Sequence, residues 1–271
     1  MKFGLSTYTL TWSIGVPGYS APVRPLDAIG LIELAASHGL ELVQIADNLP
    51  LQHCGAAELA TIRKAAESCG VRIEIGTRGT EPAHLLRYLS IAQQLDAVLV
   101  RTLITRPGID EAGQEIRSIL PAFEAAGVTL AIENHGLHPT AQLAGLLQGL
   151  GSAYAGCCLD TVNSFGALEG PEMVIQGLAP FIVNLHIKDF EITRVDHQMG
   201  FVILGTPAGA GRLDIPGLWK EIMRRGRIPT AILELWTPYQ GSVEDTIALE
   251  NRWLAESIAY LNSLELEGRE D

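Results

Sequence analysis

The sequence predicts one (β/α)8 TIM barrel across residues 1–271. Short apolar, β-branched runs alternate with longer stretches of helical periodicity from end to end, and there are eight such runs. Strands separated by helices imply right-handed crossovers and a parallel sheet. Eight units in a chain of 271 residues are the count and size of this barrel. A doubly wound open sheet is the competing arrangement. It ordinarily carries a glycine-rich phosphate turn after its first strand, and "STYTLTWSIGVPGY" (6–19) contains no GxGxxG. The chain shows no linker and no low-complexity segment, so a single domain is expected.

The predicted strands are "KFGLSTY" (2–8), "LVQIA" (42–46), "RIEIGT" (72–77), "AVLVRT" (97–102), "TLAIEN" (129–134), "YAGCCLD" (154–160), "FIVNLHIK" (181–188) and "TAILELW" (230–236). Each is short, rich in Val, Ile, Leu or aromatic residues, and bounded by turn residues. The intervening helices follow from apolar spacing near 3.6. "LDAIGLIELAASHG" (26–39) and "AAELATIRKAAESCG" (56–70) stop at Gly39 and Gly70. "PAHLLRYLSIAQQL" (82–95) and "DEAGQEIRSILPAFEAAG" (110–127) follow the same pattern, with Pro121 expected to bend the latter. "TIALENRWLAESIAYLNSL" (246–264) closes the chain.

Two connections are long, 9–24 after strand one and 189–213 after strand seven. Both fall at the C-terminal ends of their strands, the catalytic face of a barrel, where long loops are usually functional. Trp12, Met199 and Phe201 in these loops are candidates to roof a pocket.

Composition narrows the function. Hydrophobic residues make up 47%, enough for a substantial core, and 31 acids against 19 bases give a net charge of −12. That balance argues against a sequence-independent nucleic-acid binder, which needs a basic face to displace counterions. The four cysteines, Cys54, Cys69, Cys157 and Cys158, form no CxxC pair and read as reduced, buried thiols. The first residues, "MKFGLSTYTL", carry no secretion signature, and no apolar run reaches the ~18 residues of a membrane span. A cytoplasmic protein is the expectation, with no nucleic-acid or membrane partner; a homo-oligomer is compatible with the sequence.

The chemistry gathers at the strand tips. Each of the last four strands ends in a ligand-type residue: Glu133 in "AIENHG", Asp160 in "CCLDTVN", His186 in "NLHIKDF" and Glu234 in "AILELW". On a barrel these tips are neighbours around one half of the ring, and their side chains converge above the mouth. Two glutamates, an aspartate and a histidine form an O3N set suited to one divalent ion, Mn²⁺, Mg²⁺, Co²⁺ or Zn²⁺. Three carboxylates this close repel one another without a cation. Taken singly, each has a structural role as alternative, a helix cap or a core histidine.

The Glu–Asp–His–Glu order on strands five to eight resembles the sugar isomerase/epimerase superfamily of xylose isomerase-like TIM barrels, the AP-endonuclease-2-type fold. Supporting motifs are "HIKD" (186–189) and "GAGRLDIPGLWKEI" (209–222). The resemblance implies that Glu133, Asp160, His186 and Glu234 bind one metal, with Glu133 and Glu234 facing each other across the substrate as the catalytic acid/base pair. The sequence departs from the epimerase pattern at Asn163, where those members often carry histidine three residues after the metal aspartate. The superfamily's DNA-repair members use further histidines and a DNA-binding surface, for which this acidic chain with seven histidines is poorly suited.

Such a site polarises a ketone and stabilises a neighbouring enediolate, while carboxylates remove and return a proton. Departure of carbon dioxide instead of a proton leads to the same enediolate. Six residues are candidate substrate contacts. Lys188 lies two beyond His186 and shares its face of the strand; His135 has the same relation to Glu133. Asp47 ends strand two, and Asn163 follows the metal aspartate. Arg78 and Arg101, at strand ends three and four opposite the metal half, suggest an anionic substrate, because the guanidinium fork matches a carboxylate or phosphate; alternatively one pairs with Asp47 or Glu74. The leading expectation is a metal-dependent isomerase or epimerase of a small sugar or oxo-sugar acid. The alternative is a decarboxylase, since the "STYTLTWSIGVPGY…QIADNLP…GTRG" face is similar to members acting on a branched 3-oxo sugar acid of the isoapionate type. A non-catalytic sugar-binding barrel is the third reading, and it would tolerate loss of a ligand that this chain retains.

Overall fold

In a computed structural model, which describes residues 2–106, 108–197, 199–224 and 230–264, eight parallel strands close on themselves. Around the ring they run β1 (Phe3–Ser6), β2 (Leu42–Ile45), β3 (Arg72–Gly76), β4 (Leu99–Leu103), β5 (Thr129–Glu133), β6 (Ala155–Asp160), β7 (Ile182–Ile187) and β10 (Thr230–Leu233), and β10 pairs back to β1. Closure is carried by the register Phe3↔Ala231, Gly4↔Ile232 and Leu5↔Leu233. At Gly4 an added Cβ would lie 2.2 Å from the Leu42 carbonyl oxygen, so the neighbouring strand leaves no room for a side chain. Each of the eight expected strands is present. The open-sheet alternative is excluded by the closed ring.

Helices connect the strands: α1 (Thr11–Ile14), α2 (Ala28–Ser37), α3 (Ala56–Cys69), α4 (Pro82–Leu95), α5 (Ile109–Ala126), α6 (Thr140–Leu150), α7 (Pro171–Leu178), α8 (Ile215–Arg224) and α9 (Val243–Ser263). Their ends follow local chemistry. Asp27 Oδ1 accepts the Gly30 N–H at 2.8 Å to start α2, and Ser242 accepts the Asp245 N–H at 3.0 Å to start α9. Gly70, Gly127 and Gly151 end α3, α5 and α6 in the left-handed conformation. Pro121 sits inside α5, which is assigned as one unbroken helix around it.

The 189–213 connection is not an irregular roof. After β7 the chain forms an antiparallel hairpin, β8 (Asp189–Arg194) with β9 (Phe201–Thr206). Met199 and Phe201, expected over a pocket, are instead 87% and 62% exposed on this ribbon. The alternating stretches "DFEITR" and "FVILGT" pair with each other and carry those residues outward. Trp12, by contrast, is buried: its indole N–H donates to the Thr237 carbonyl at 2.8 Å, and its ring meets Tyr19 and Tyr239. Glu250 on α9 anchors this first loop by accepting the backbone N–H groups of Trp12 and Ser13, both at 2.9 Å. All four cysteines are free; Cys157 and Cys158 are buried as expected, whereas Cys54 and Cys69 are only partly buried. No described helix is long and apolar enough to cross a membrane.

Candidate metal centre and active site

Register brings the four predicted ligands together. Glu133 on β5 stands opposite Cys158, and Asp160 on β6 opposite His186 on β7. His186 is level with Ile232, so Glu234 lies one pleat further, just past β10. The β6–β7 ladder shifts between Cys157 and Cys158, so that Cys157 pairs with Ile182 and Cys158 with Asn184. Such irregularities re-aim side chains near sites.

All four side chains are buried, at 5% exposure or less. The His186 Nδ1 lies 3.3 Å from Glu234 Oε1, 3.9 Å from Asp160 Oδ2 and 4.0 Å from Glu133 Oε2. All four atoms are buried, and His186 Nδ1 and Glu234 Oε1 have no hydrogen-bond partner among the described residues. The imidazole Nε2 pairs with Gln44 Oε1 at 2.8 Å; since a carbonyl oxygen only accepts, Nε2 carries the proton and Nδ1 presents a lone pair. Burial pushes His186 down to about 4, so the ring is neutral at pH 7. Three carboxylate oxygens and one imidazole lone pair thus lie close together. Asp160, His186 and Glu234 offer ligand atoms within 4.8 Å of one another, and Glu133 joins His186 in a second such group with Cys158; the oxygen and nitrogen donors fit a hard-to-borderline divalent cation.

The ligands are themselves held. Asp160 Oδ1 accepts the backbone N–H groups of Val162 and Asn163 at 2.9 and 2.8 Å, which turns Oδ2 toward the site. Asn134 clamps the Asp160 backbone from both sides, accepting its N–H and donating to its carbonyl. Asn163 donates its side-chain amide to Glu133 Oε1 at 2.6 Å. The position that departs from the epimerase pattern therefore steadies a candidate ligand.

Two cations balance the carboxylates. Lys188 Nζ lies 2.8 Å from Asp160 Oδ2 and 2.9 Å from Glu234 Oε2. Its burial opposes the charge, but Asp160, Glu234 and Glu133 outweigh this and raise its pKa. Arg101 Nε lies 2.8 Å from Glu133 Oε2, and its Nη1 donates to Asp47 Oδ1 and the Thr77 carbonyl, both at 3.0 Å. Burial pushes Glu133 up to about 7, with Asp160 and Glu234 adding to the effect against Arg101 and Lys188. Glu234 goes the other way: burial opposes its charge, but His186, Lys188 and Arg101 hold it below the usual carboxylate range.

The substrate candidates divide. Lys188 and Asn163 reach the candidate ligands directly. Asp47 binds both arginines, through Oδ1 to Arg101 and through Oδ2 to Arg78 Nε at 2.8 Å. Arg101 is 2% exposed and sits mid-strand on β4 beside β5, so it adjoins the metal half rather than standing opposite it. Arg78, with its side chain 55% exposed, is the arginine open to solvent. His135 is exposed beyond the end of β5.

Several residues of this neighbourhood escaped the sequence reading. Tyr8, past the end of β1, donates to Asp47 Oδ2 at 3.2 Å and is pushed up to about 12 by burial and by Asp47. Gln44, Glu74 and Asn184 lie beneath the candidate ligands; Glu74 is expected from sequence only as an arginine partner, and each is a polar residue interrupting an apolar strand, which is the available signal. Asp189 gives the "HIKD" and "GAGRLD" motifs a shared physical basis. Its Oδ2 accepts the N–H groups of Gly209 and Gly211 at 2.8 and 3.0 Å, and its Oδ1 those of Phe190 and Leu213 at 2.8 and 3.0 Å. A Cβ at Gly211 would lie 2.2 Å from Asp189 Oδ1. Asp189→Ala orphans these donors and is expected to destabilise the fold by about 2–4 kcal/mol, as at least two buried N–H groups each cost roughly 1–3 kcal/mol unpaired. A urea unfolding midpoint equal to the wild type would show that the loop closes without Asp189.

The family model for xylose isomerase-like TIM barrels matches residues 32–264, and the chain belongs to that family. Among curated proteins it is similar to 3-oxo-isoapionate decarboxylase of Pectobacterium atrosepticum, 36% identical over 265 residues that cover 96% of this chain and 95% of that one. Solved structures share the fold at low identity. A xylose isomerase-like TIM barrel protein from Mycobacterium smegmatis in complex with magnesium superposes with a TM-score of 0.69 at 12% identity, covering 96% of this chain and 97% of that one. D-psicose 3-epimerase with D-tagatose from Clostridium cellulolyticum H10 gives a TM-score of 0.70 at 16% identity, covering 97% of each.

Proposed function

We propose that the protein is a divalent-metal-dependent decarboxylase of a branched 3-oxo sugar acid of the 3-oxo-isoapionate type. The observation that carries this reading is the end-to-end similarity to a decarboxylase of that substrate, at about twice the identity shared with the epimerases. The donor set of Glu133, Asp160, His186 and Glu234 supports the metal, and a divalent ion held there would supply Lewis-acid stabilisation to an oxygen that gains negative charge.

The reaction asks little of the protein. The bond from the carboxyl carbon to the carbon beside the ketone breaks, its electron pair moves into an enediolate, and carbon dioxide leaves. One proton must then reach the former carboxyl-bearing carbon. Glu133 and Glu234 are the groups assigned to proton handling. Lys188 Nζ has three donor hydrogens, two of them directed to Asp160 and Glu234, which leaves one for a substrate oxygen. Arg78 is assigned to the anionic substrate at the mouth, and Asp47 holds its Nε edge.

Arg78→Lys is expected to lower kcat/KM by about 10-fold or more. Lysine cannot present the planar fork, and a charge-assisted hydrogen bond is worth roughly 1.5–3 kcal/mol. An unchanged kcat/KM on the true substrate would show that Arg78 serves Asp47 alone.

The isomerase or epimerase reading has the paired Glu133 and Glu234 in its favour, because proton exchange between two carbons or two faces uses a base and an acid. One experiment separates the two. Metal-loaded protein is incubated with 3-oxo-isoapionate in deuterium oxide, and carbon dioxide and product are measured together. Decarboxylation predicts one carbon dioxide per product and one solvent deuteron at the former carboxyl-bearing carbon. A product with the same carbon count as the substrate would overturn the proposal.

A further inference from the structure

Beneath the metal ligands lies a closed polar network with no direct access to substrate. Gln44 on β2, Glu74 on β3 and Asn184 on β7 are each 2% exposed or less. Gln44 Nε2 donates to Glu74 Oε2 and to Asn184 Oδ1, both at 3.2 Å. Asn184 Nδ2 donates to the same Glu74 Oε2 at 3.0 Å and to Thr230 Oγ1 at 2.8 Å. The Cys158 thiol completes the set by donating to Asn184 Oδ1 at 3.1 Å. Both lone pairs and both N–H groups of the Asn184 amide are thereby used.

We infer that Glu74, acting through Gln44, is a positioning residue that fixes the tautomer of His186 so that Nδ1 is free to bind a metal. This rests on the reading of His186 as a metal ligand. The logic is one of donors and acceptors. Two amide NH2 groups converge on Glu74 Oε2, which must therefore be an acceptor, whether or not the other carboxyl oxygen holds a proton. That requirement turns the Gln44 amide with its nitrogen toward Glu74 and Asn184. Its oxygen is left facing the other way, 2.8 Å from His186 Nε2. An oxygen there demands a proton on Nε2, and a neutral ring with Nε2–H has its lone pair on Nδ1, the atom that faces Asp160, Glu133 and Glu234. A Gln44 flipped end for end would place its NH2 on Nε2, move the proton to Nδ1 and block the ligand atom. Reversal is opposed because the Gln44 oxygen would then confront both Glu74 Oε2 and Asn184 Oδ1.

The test compares Gln44→Met, Glu74→Met and Glu74→Gln with the wild type in the full-length protein. Nitrogen NMR of ¹⁵N-histidine-labelled, metal-free protein reads the ring tautomer, with the His186 signal identified by its loss in His186→Ala. Manganese titration reads affinity, and a thermal melt reads stability. The wild type is expected to show the Nε2–H form. Gln44→Met and Glu74→Met should mix the tautomers and weaken manganese by about 10–100-fold, the usual effect of losing a group that orients a metal-bound histidine. Glu74→Gln keeps an acceptor oxygen for both amides and should retain the wild-type tautomer and affinity. A group that merely stabilises the fold would move the melting temperature without moving the tautomer. A proton on Nδ1 in the wild type, or an unshifted tautomer in Gln44→Met, would overturn the inference. If the wild type bound no manganese, the metal reading would fail, while the tautomer pattern would still decide for or against the relay. Because the wild-type tautomer needs no variant, and Gln44→Met stands beside Glu74→Met, the test survives one variant that does not fold.

Discussion

Alanine in place of His186 or Asp160 is expected to release the divalent ion and to lower turnover by about 10³-fold or more. The size follows from what the ion supplies: several kcal/mol of charge stabilisation at a developing oxyanion, at about 1.4 kcal/mol for each factor of ten. His186→Ala removes the only nitrogen among the four proposed ligands and leaves Glu133, Asp160 and Glu234 facing a void. Asp160→Ala also frees the Val162 and Asn163 N–H groups that Oδ1 accepts, so the turn after β6 loosens together with the site. Metal content per chain, measured by elemental analysis after gel filtration, should fall from about one to near zero in both variants. The wild type stripped by a chelator should show the same loss and recover when Mg²⁺ or Mn²⁺ is returned. Full turnover in rigorously metal-free wild type would end the metal reading, and normal metal content in His186→Ala would remove that residue from the ligand set.

The readable part of this site was the part that sits at strand tips. Glu133, Asp160, His186 and Glu234 each stand where an apolar run stops, and the alternation of strands and helices alone puts four such tips side by side. Once the count of eight strands was in hand, convergence needed no further information. The supporting network was not readable in the same way. Gln44, Glu74 and Asn184 were visible as polar interruptions in "LVQI", "RIEIG" and "IVNLHI", but a polar residue inside a barrel strand has many potential partners. The ones it takes lie 26 to 142 positions away in sequence, set by barrel closure and by the register shift at Cys157 and Cys158. The hairpin after β7 is hidden in the sequence because a connection of that length reads as a loop, and its two alternating stretches pair only with each other. Arg101 was misplaced for a related reason. Its strand was predicted to end near it, whereas β4 runs on to Leu103 and leaves Arg101 mid-strand, within reach of Glu133 on the adjacent β5.

That position makes Arg101→Met the most informative stability variant. Met roughly preserves the side-chain volume and removes only the charge and its donors. Arg101 is 2% exposed and lies 2.8 Å from Glu133 and 3.0 Å from Asp47, so its loss strands charge in a buried setting. Breaking one side of a buried pair typically costs about 3–5 kcal/mol, because the remaining partner is left uncompensated. Arg78 makes the useful contrast: its own pair with Asp47 is half exposed, where such contacts contribute roughly 0–1 kcal/mol. Chelated protein is the right sample, since a bound cation would shelter Glu133 from the loss. The pH dependence has a definite sign. Glu133 already sits above the unfolded carboxylate range, at about 7, and loss of Arg101 raises it further. A carboxyl whose folded pKa exceeds its unfolded value binds protons more readily in the folded state, so its contribution to stability falls as pH rises through that interval. The deficit of Arg101→Met should therefore be largest near pH 8 and shrink toward pH 5 as Glu133 takes up its proton. Urea titrations at the two pH values read this directly. If Arg101 were instead a clamp for the anionic substrate, the variant would keep wild-type stability at both pH values and lose only substrate affinity.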